Sequence, residues 1–139
     1  KQMAFGVFSR CLYPLQKFDS DTERKFAVML ERDADKWLKP AKGQFQMFYK
    51  LGAEQPEYVP DFVAETAHHV LMVETKASKE MESAEVKAKA QAGALWCKNA
   101  TDHTRSVGGK PWKYLLVSHE QVTADKTLND FLRFEVVAG

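Results

Sequence analysis

Long apolar runs are missing from this chain of 139 residues. None approaches the ~18 residues that an apolar helix needs to cross a bilayer. No signal-peptide pattern opens the chain either, so a soluble protein in the cytoplasm, without a membrane partner, is expected. A charge excess of one sign is missing too: 20 Lys and Arg stand against 19 Asp and Glu, a net charge of +1. That argues against a highly basic nucleic-acid binder while leaving room for a local basic patch. Cysteine is scarce. Cys11 and Cys97 are far apart and form no Cys-x-x-Cys pair, so reduced thiols are expected rather than a disulfide framework. His68, His69, His103 and His119 show no His-x-x-x-His spacing and no nearby cysteine pair, which leaves zinc weakly supported. Gly108-Gly109-Lys110 lacks the upstream glycine and the following Ser or Thr of a phosphate-binding loop, so no ATP site is expected. A nucleophilic serine would need Gly-x-Ser-x-Gly, which does not occur.

What is present is enough for one domain over residues 1–139. At 45% hydrophobic content it is long enough to bury about two thirds of its unfolded surface. From Lys76 through Lys113 there are eight Lys or Arg, Lys79 among them, against four acids. A helix laced with opposite charges is more often just a solvated face.

Residues Ala4 to Leu15 read as an edge strand or irregular lead-in, since Pro14 disfavours a long helix. Ser20-Asp21-Thr22-Glu23 matches a capping box, with Ser20 as N-cap and Glu23 returning to its backbone N–H. Phe26, Met29 and Leu30 recur at helical spacing, so a helix should run to about Asp35. Phe45, Met47, Tyr49 and Leu51 alternate with mostly polar neighbours and predict a strand over 43–51. Ser83 is placed to cap a helix over Ala84 to Ala100 whose inner face carries Val86, Ala90, Gly93, Ala94 and Cys97, with Trp96 at the margin. Lys89 falls at the same margin. It either pairs with Glu85 one turn earlier or reaches out from the helix, and Gln91 sits nearer the opposite face. Thr101 to Lys110 reads as a polar loop, and Pro111 to Val117 as an apolar strand parallel to its neighbour. Thr127 to Val137 suits either a helix or a strand.

The chain is organised around Tyr58 to Ala77. Two arms rich in Val, Phe, Thr, Leu and Met flank Ala67-His68, the pattern of a β-hairpin. Pro60 is tolerable there because it stands at the beginning of its strand. A two-residue loop puts Thr66 opposite His69 and Asp61 opposite Glu74, with opposed Cβ atoms about 4.5–5.5 Å apart. Strand alternation then places Lys76 on the face of Glu74 and turns Thr75 away. Two carboxylates held so close repel unless a positive charge lies between them. Lys76 supplies part of that charge, and a hard divalent cation bound by one or two carboxylates is the usual occupant. With the hairpin, the 43–51 strand should make one antiparallel meander.

Pro60-Asp61 followed by Glu74-Thr75-Lys76 resembles the PD-(D/E)xK nuclease signature. The wider run of Tyr13-Pro14-Leu15, Phe18 to Glu23, Leu30 to Asp33, Tyr58 to Phe62, Val73 to Ala77, Glu85-Val86, Lys89-Ala90, Trp96-Cys97 and Trp112 to Leu116 is similar to the C-terminal endonuclease domain of type III restriction enzyme restriction subunits. The resemblance implies an α/β fold of the α+β type: a restriction-endonuclease-like αβββαβ core with a mixed sheet of four to five strands flanked by helices. It implies Mg²⁺, with Mn²⁺ as substitute, held by Asp61, Glu74 and the Thr75 backbone carbonyl. Lys76 would act as the catalytic lysine, and Glu23 would be an acid of the first helix aimed at the metal. Lys89, Gln91 and Lys79 would lie against nucleic acid. The implied partners are double-stranded DNA, a helicase motor upstream in the same polypeptide, and a methyltransferase that carries the specificity. The start at Lys1, without an initiator methionine, agrees with a piece excised from such a protein. The rival expectation is a nuclease-like fold that binds or docks nucleic acid for a helicase without cleaving it.

Overall fold

The structure is a computed structural model and describes residues 3–5, 9–12 and 16–139. Its centre is a mixed sheet of four strands: Lys36–Leu38 (β3), Phe62–Glu65 (β6), Val70–Lys76 (β7) and Trp112–Ser118 (β8), in that order across the sheet. β6 pairs antiparallel with both β3 and β7, and β8 joins β7 in parallel. One helix, Asp21–Asp33 (α1), precedes the sheet, and another, Ala84–Arg105 (α2), carries the chain from β7 over to β8. This is the expected mixed sheet flanked by helices. Met3–Phe5 (β1) and Gln16–Phe18 (β2) form a separate antiparallel pair. The lead-in reading over Ala4–Leu15 lies partly outside the described residues, as does Tyr13-Pro14-Leu15.

Strand alternation sorts the core into two layers. Leu71 and Val73 of β7, Phe62 and Ala64 of β6 and Leu115 and Val117 of β8 pack with Phe26, Ala27 and Leu30 of α1. On the other face Met72, Val63 and Tyr114 pack with Ala90, Ala94 and Cys97 of α2. The buried residues of α2 are Val86, Ala90, Gly93, Ala94 and Cys97, the face read from the helical wheel. Both helix starts are capped as expected, Ser20 Oγ accepting from Glu23 N at 3.1 Å and Ser83 Oγ from Val86 N at 3.1 Å.

Two expectations need correction. The third strand of the meander is β3, a segment of three residues, and not 43–51. Met47–Phe48 (β4) instead pairs with Glu57–Tyr58 (β5) in a ribbon of its own. The alternation did mark a face, since Met47 and Tyr49 are buried and Phe48 is 56% exposed. Proline explains the division: Pro60 has no N–H for the ladder, so the Tyr58 arm ends in the ribbon and the sheet strand starts afresh at Phe62. The helix α2 also continues through Thr101–Arg105, which had read as loop. Its hydroxyls find partners without leaving helical geometry: Thr101 Oγ1 donates to Cys97 O at 2.8 Å and accepts from Trp112 N at 2.9 Å, and Thr104 Oγ1 donates to Thr101 O at 3.2 Å. The tail, open between helix and strand from the sequence, is a 3₁₀ segment, Leu128–Phe134, followed by a bridge from Glu135 to Leu115.

Candidate active site

The hairpin register is the one read from the sequence. Phe62 faces Val73 and Glu65 faces Val70, while Thr66 N donates to His69 O at 2.9 Å across the Ala67-His68 loop. Asp61 therefore lies one residue before β6, beside the end of β7 that carries Glu74, Thr75 and Lys76. There the carboxylate of Asp61 crosses to the partner strand. Its Oδ2 accepts from Thr75 N at 2.8 Å and from Thr75 Oγ1 at 3.0 Å. The threonine that alternation turns away from Glu74 thus anchors Asp61 with both of its donors. Among the described residues, Asp61 Oδ1 has no hydrogen-bond partner.

Glu74 is 5% exposed. Its Oε1 accepts from Tyr58 Oη at 2.9 Å, and its Oε2 lies 3.6 Å from Lys76 Nζ. Glu23 comes to the same edge from the first turn of α1 and is 6% exposed. The reciprocal half of the expected capping box is absent: the Glu23 carboxylate takes a long contact of 3.4 Å from Asp19 N rather than reaching Ser20 N. The reason is Lys39, whose Nζ lies 2.6 Å from Glu23 Oε1 in a largely buried ion pair and 4.9 Å above the Phe62 ring. A charge-assisted pair outweighs a cap contact to a neutral amide.

The electrostatics tie these groups into one unit. Burial raises the Asp61 pKa well above the ordinary carboxylate range, and the charges of Glu74 and Glu23 raise it further, against the Thr75 N–H and Lys39. Glu74 is also raised, first by burial and then by Glu23, while Lys76, the Tyr58 hydroxyl and Lys89 pull it back. Three acids, Glu23, Asp61 and Glu74, thus act on one another, with Lys39 and Lys76 as the nearest compensating charges.

The outer candidates divide. Lys89 makes the expected pair with Glu85: its Nζ is 3.4 Å from Glu85 Oε2 and 5.5 Å over the Tyr49 ring, and its charge is felt at Glu74. Gln91 is not brought to this group, because its Oε1 accepts from Gly139 N at 3.1 Å beside the tail. Lys79 is exposed on the 3₁₀ turn Ser78–Glu80 that follows β7.

Sequence reasoning passed over three residues. Lys39 follows the short β3, where no alternation signals a buried cation. Tyr58 was read only as part of a strand arm and Tyr114 only as part of an apolar strand, yet their hydroxyls meet at 2.6 Å beneath Glu74. Tyrosines amid an apolar run are the available signal, since a buried phenol needs a partner.

Among the described residues no three His, Cys, Asp or Glu side chains converge into a ready metal shell. The donor set nonetheless fits a hard cation that takes one or two carboxylates and completes its shell with water and phosphate. Asp61 keeps one oxygen free of hydrogen bonds, and both hairpin acids are electrostatically strained in the absence of added positive charge. Two surface grooves, about 410 Å³ beside α2 and the tail and about 460 Å³ beside α1 and residues 123–126, are lined by none of these acids. Compared with known proteins, the chain matches no protein-family model and no curated protein.

Proposed function

We propose that this chain is a Mg²⁺-dependent endodeoxyribonuclease domain that hydrolyses phosphodiester bonds of double-stranded DNA, of the type III restriction-subunit kind. In that setting it works beside a helicase motor in the same polypeptide and a methyltransferase that carries the specificity. The observation that supports this most is the hairpin register, which sets Asp61 beside the end of β7 that carries Glu74, with Lys76 Nζ 3.6 Å from Glu74 and the charge of Glu23 acting on both acids.

Asp61, Glu74 and the Thr75 backbone carbonyl would hold the cation, which when bound polarises a phosphate oxygen and lowers the pKa of an attacking water. Thr75 fixes the orientation of Asp61 through its two hydrogen bonds. Lys76 has a compact ammonium with three rotatable donors, suited to orient the water and to offset charge that builds on the phosphate. Lys39 pairs with Glu23 beside the two hairpin acids, and Lys89 adds positive charge on the α2 side. Phosphate contacts position a duplex without reading its sequence, so target choice falls to the partner subunit.

The test is cleavage of plasmid DNA with Mg²⁺ or Mn²⁺, by the domain and by the assembly with its motor. Glu74→Gln and Lys76→Ala should each lose at least ~10²-fold in rate, the usual effect of removing one electrostatic stabiliser. An assembly that binds DNA and cleaves none, or whose cleavage survives both changes, would leave the docking-module reading in its place.

A further inference from the structure

Tyr58, Tyr114 and Glu74 come from three different strands and meet within the α2-facing layer, where Tyr58 is 2% and Tyr114 1% exposed. Tyr58 Oη lies 2.9 Å from Glu74 Oε1 and 2.6 Å from Tyr114 Oη. A phenol carries one proton, and an ionised carboxylate only accepts. The Tyr58 proton therefore goes to Glu74, which leaves Tyr114 as the donor to Tyr58. The direction of the chain is fixed from Tyr114 through Tyr58 to the acid. No buried side-chain polar atom among the described residues is left without a partner, so the chain is complete.

We infer that Tyr114 and Tyr58 are positioning residues for Glu74: a one-way hydrogen-bond relay that holds Oε1 from behind and leaves Oε2 on the Lys76 side, so that the acid is oriented for the cation it would hold. This rests on the nuclease reading above for the identity of the cation. Two phenylalanines would fill the same layer without burying two hydroxyls, and removing both partners of a buried hydrogen bond is nearly neutral for stability. Orienting an acid is a role that phenylalanines could not serve. The helix side is arranged to match. Gly93 of α2 passes directly over the Tyr114 ring, where an added Cβ would stand 2.5 Å from Cδ1 and closer still to Cε1. The bare glycine lets α2 press the ring into the one place from which its hydroxyl reaches Tyr58.

Groups that orient a metal ligand from outside typically change metal affinity by 10–100-fold when removed. The experiment compares the native chain with Tyr58→Phe and Tyr114→Phe, by Mn²⁺ calorimetry at neutral pH, by NMR of slowly exchanging tyrosine hydroxyl protons, and by crystallography of Glu74. The native chain should show two protected hydroxyl protons and one Glu74 orientation. Tyr58→Phe should weaken Mn²⁺ binding 10–100-fold and release the Glu74 carboxylate. Tyr114→Phe should weaken binding less and keep the Tyr58 hydroxyl proton. Native Mn²⁺ affinity and an unmoved Glu74 in Tyr58→Phe would overturn the relay. If the native chain binds no Mn²⁺, the nuclease reading fails, and the relay is judged by Glu74 alone: disordered in Tyr58→Phe supports it, unmoved overturns it.

Discussion

Replacing Gly93 by alanine sets two physical rules against each other. Intrinsic propensity favours the change, because alanine in a helix interior is better than glycine by about 1 kcal/mol. Packing opposes it. The new Cβ would lie 2.5 Å from Tyr114 Cδ1 and 3.1 Å from Cζ. The ring cannot swing clear: it is buried, its backbone is paired with Met72 of β7, its carbonyl accepts from Val136 N at 2.9 Å, and its hydroxyl is bonded to Tyr58. Overpacking of this sort costs about 1–3 kcal/mol, and a lost buried hydrogen bond adds about 1 kcal/mol. The net expectation is a loss of about 1–3 kcal/mol despite the better helix former. Urea denaturation followed by circular dichroism reads this as a lower midpoint with an unchanged slope. If Gly93→Ala were as stable as the native chain, or more stable by the ~1 kcal/mol of propensity alone, α2 would not approach the sheet as described and the clamp on Tyr114 would be wrong.

Two further outcomes follow from the charges at the site. Lys39→Met leaves Glu23 buried without its cation and should cost about 3–5 kcal/mol in urea denaturation, whereas Lys39→Met with Glu23→Leu should recover most of that; equal losses in the single and the double variant would contradict the buried pair. Asp61 binds its proton more tightly in the native chain than in the unfolded one, so between the ordinary carboxylate range near pH ~4 and the raised native value the folded state holds more protons. Its contribution to stability is therefore largest in acid and is lost as pH rises through the native pKa. Asp61→Asn, which keeps an acceptor for Thr75, should be more stable than native at neutral pH by about 0.5–2 kcal/mol, the scale of relieving a strained functional group. That advantage should shrink toward pH ~4. An advantage that grows in acid would mean that folding weakens, rather than strengthens, proton binding at Asp61.

The features legible in the sequence are those that depend on neighbours along the chain. The hairpin register followed from a two-residue loop and a fixed period of two, and the α2 face from a period of 3.6. Ser20 and Ser83 were legible because capping is local. The choice of sheet partner was not. β3 is too short to show a period, and the more regular 43–51 segment drew the assignment although Pro60 separates its partner arm from the sheet. Lys39 was hidden because a lysine beside a proline reads as surface by default, and only tertiary packing brings Phe62 and Glu23 around it. The tyrosine relay spans three strands distant in sequence, and no local pattern links such positions. Glu23 shows a local rule overridden: its cap is half made, because a buried ammonium competes for the carboxylate.

Titration of Mg²⁺ or Mn²⁺ into the protein by calorimetry, beside Asp61→Asn and with a DNA oligonucleotide present to complete the shell, asks whether the hairpin carboxylates hold a metal ion. Saturable binding that disappears in Asp61→Asn is expected, together with a metal-dependent rise in native stability of about 2.7 kcal/mol at a hundredfold excess over the dissociation constant. Equal binding by both proteins, or none by either, would contradict a metal centre at the hairpin.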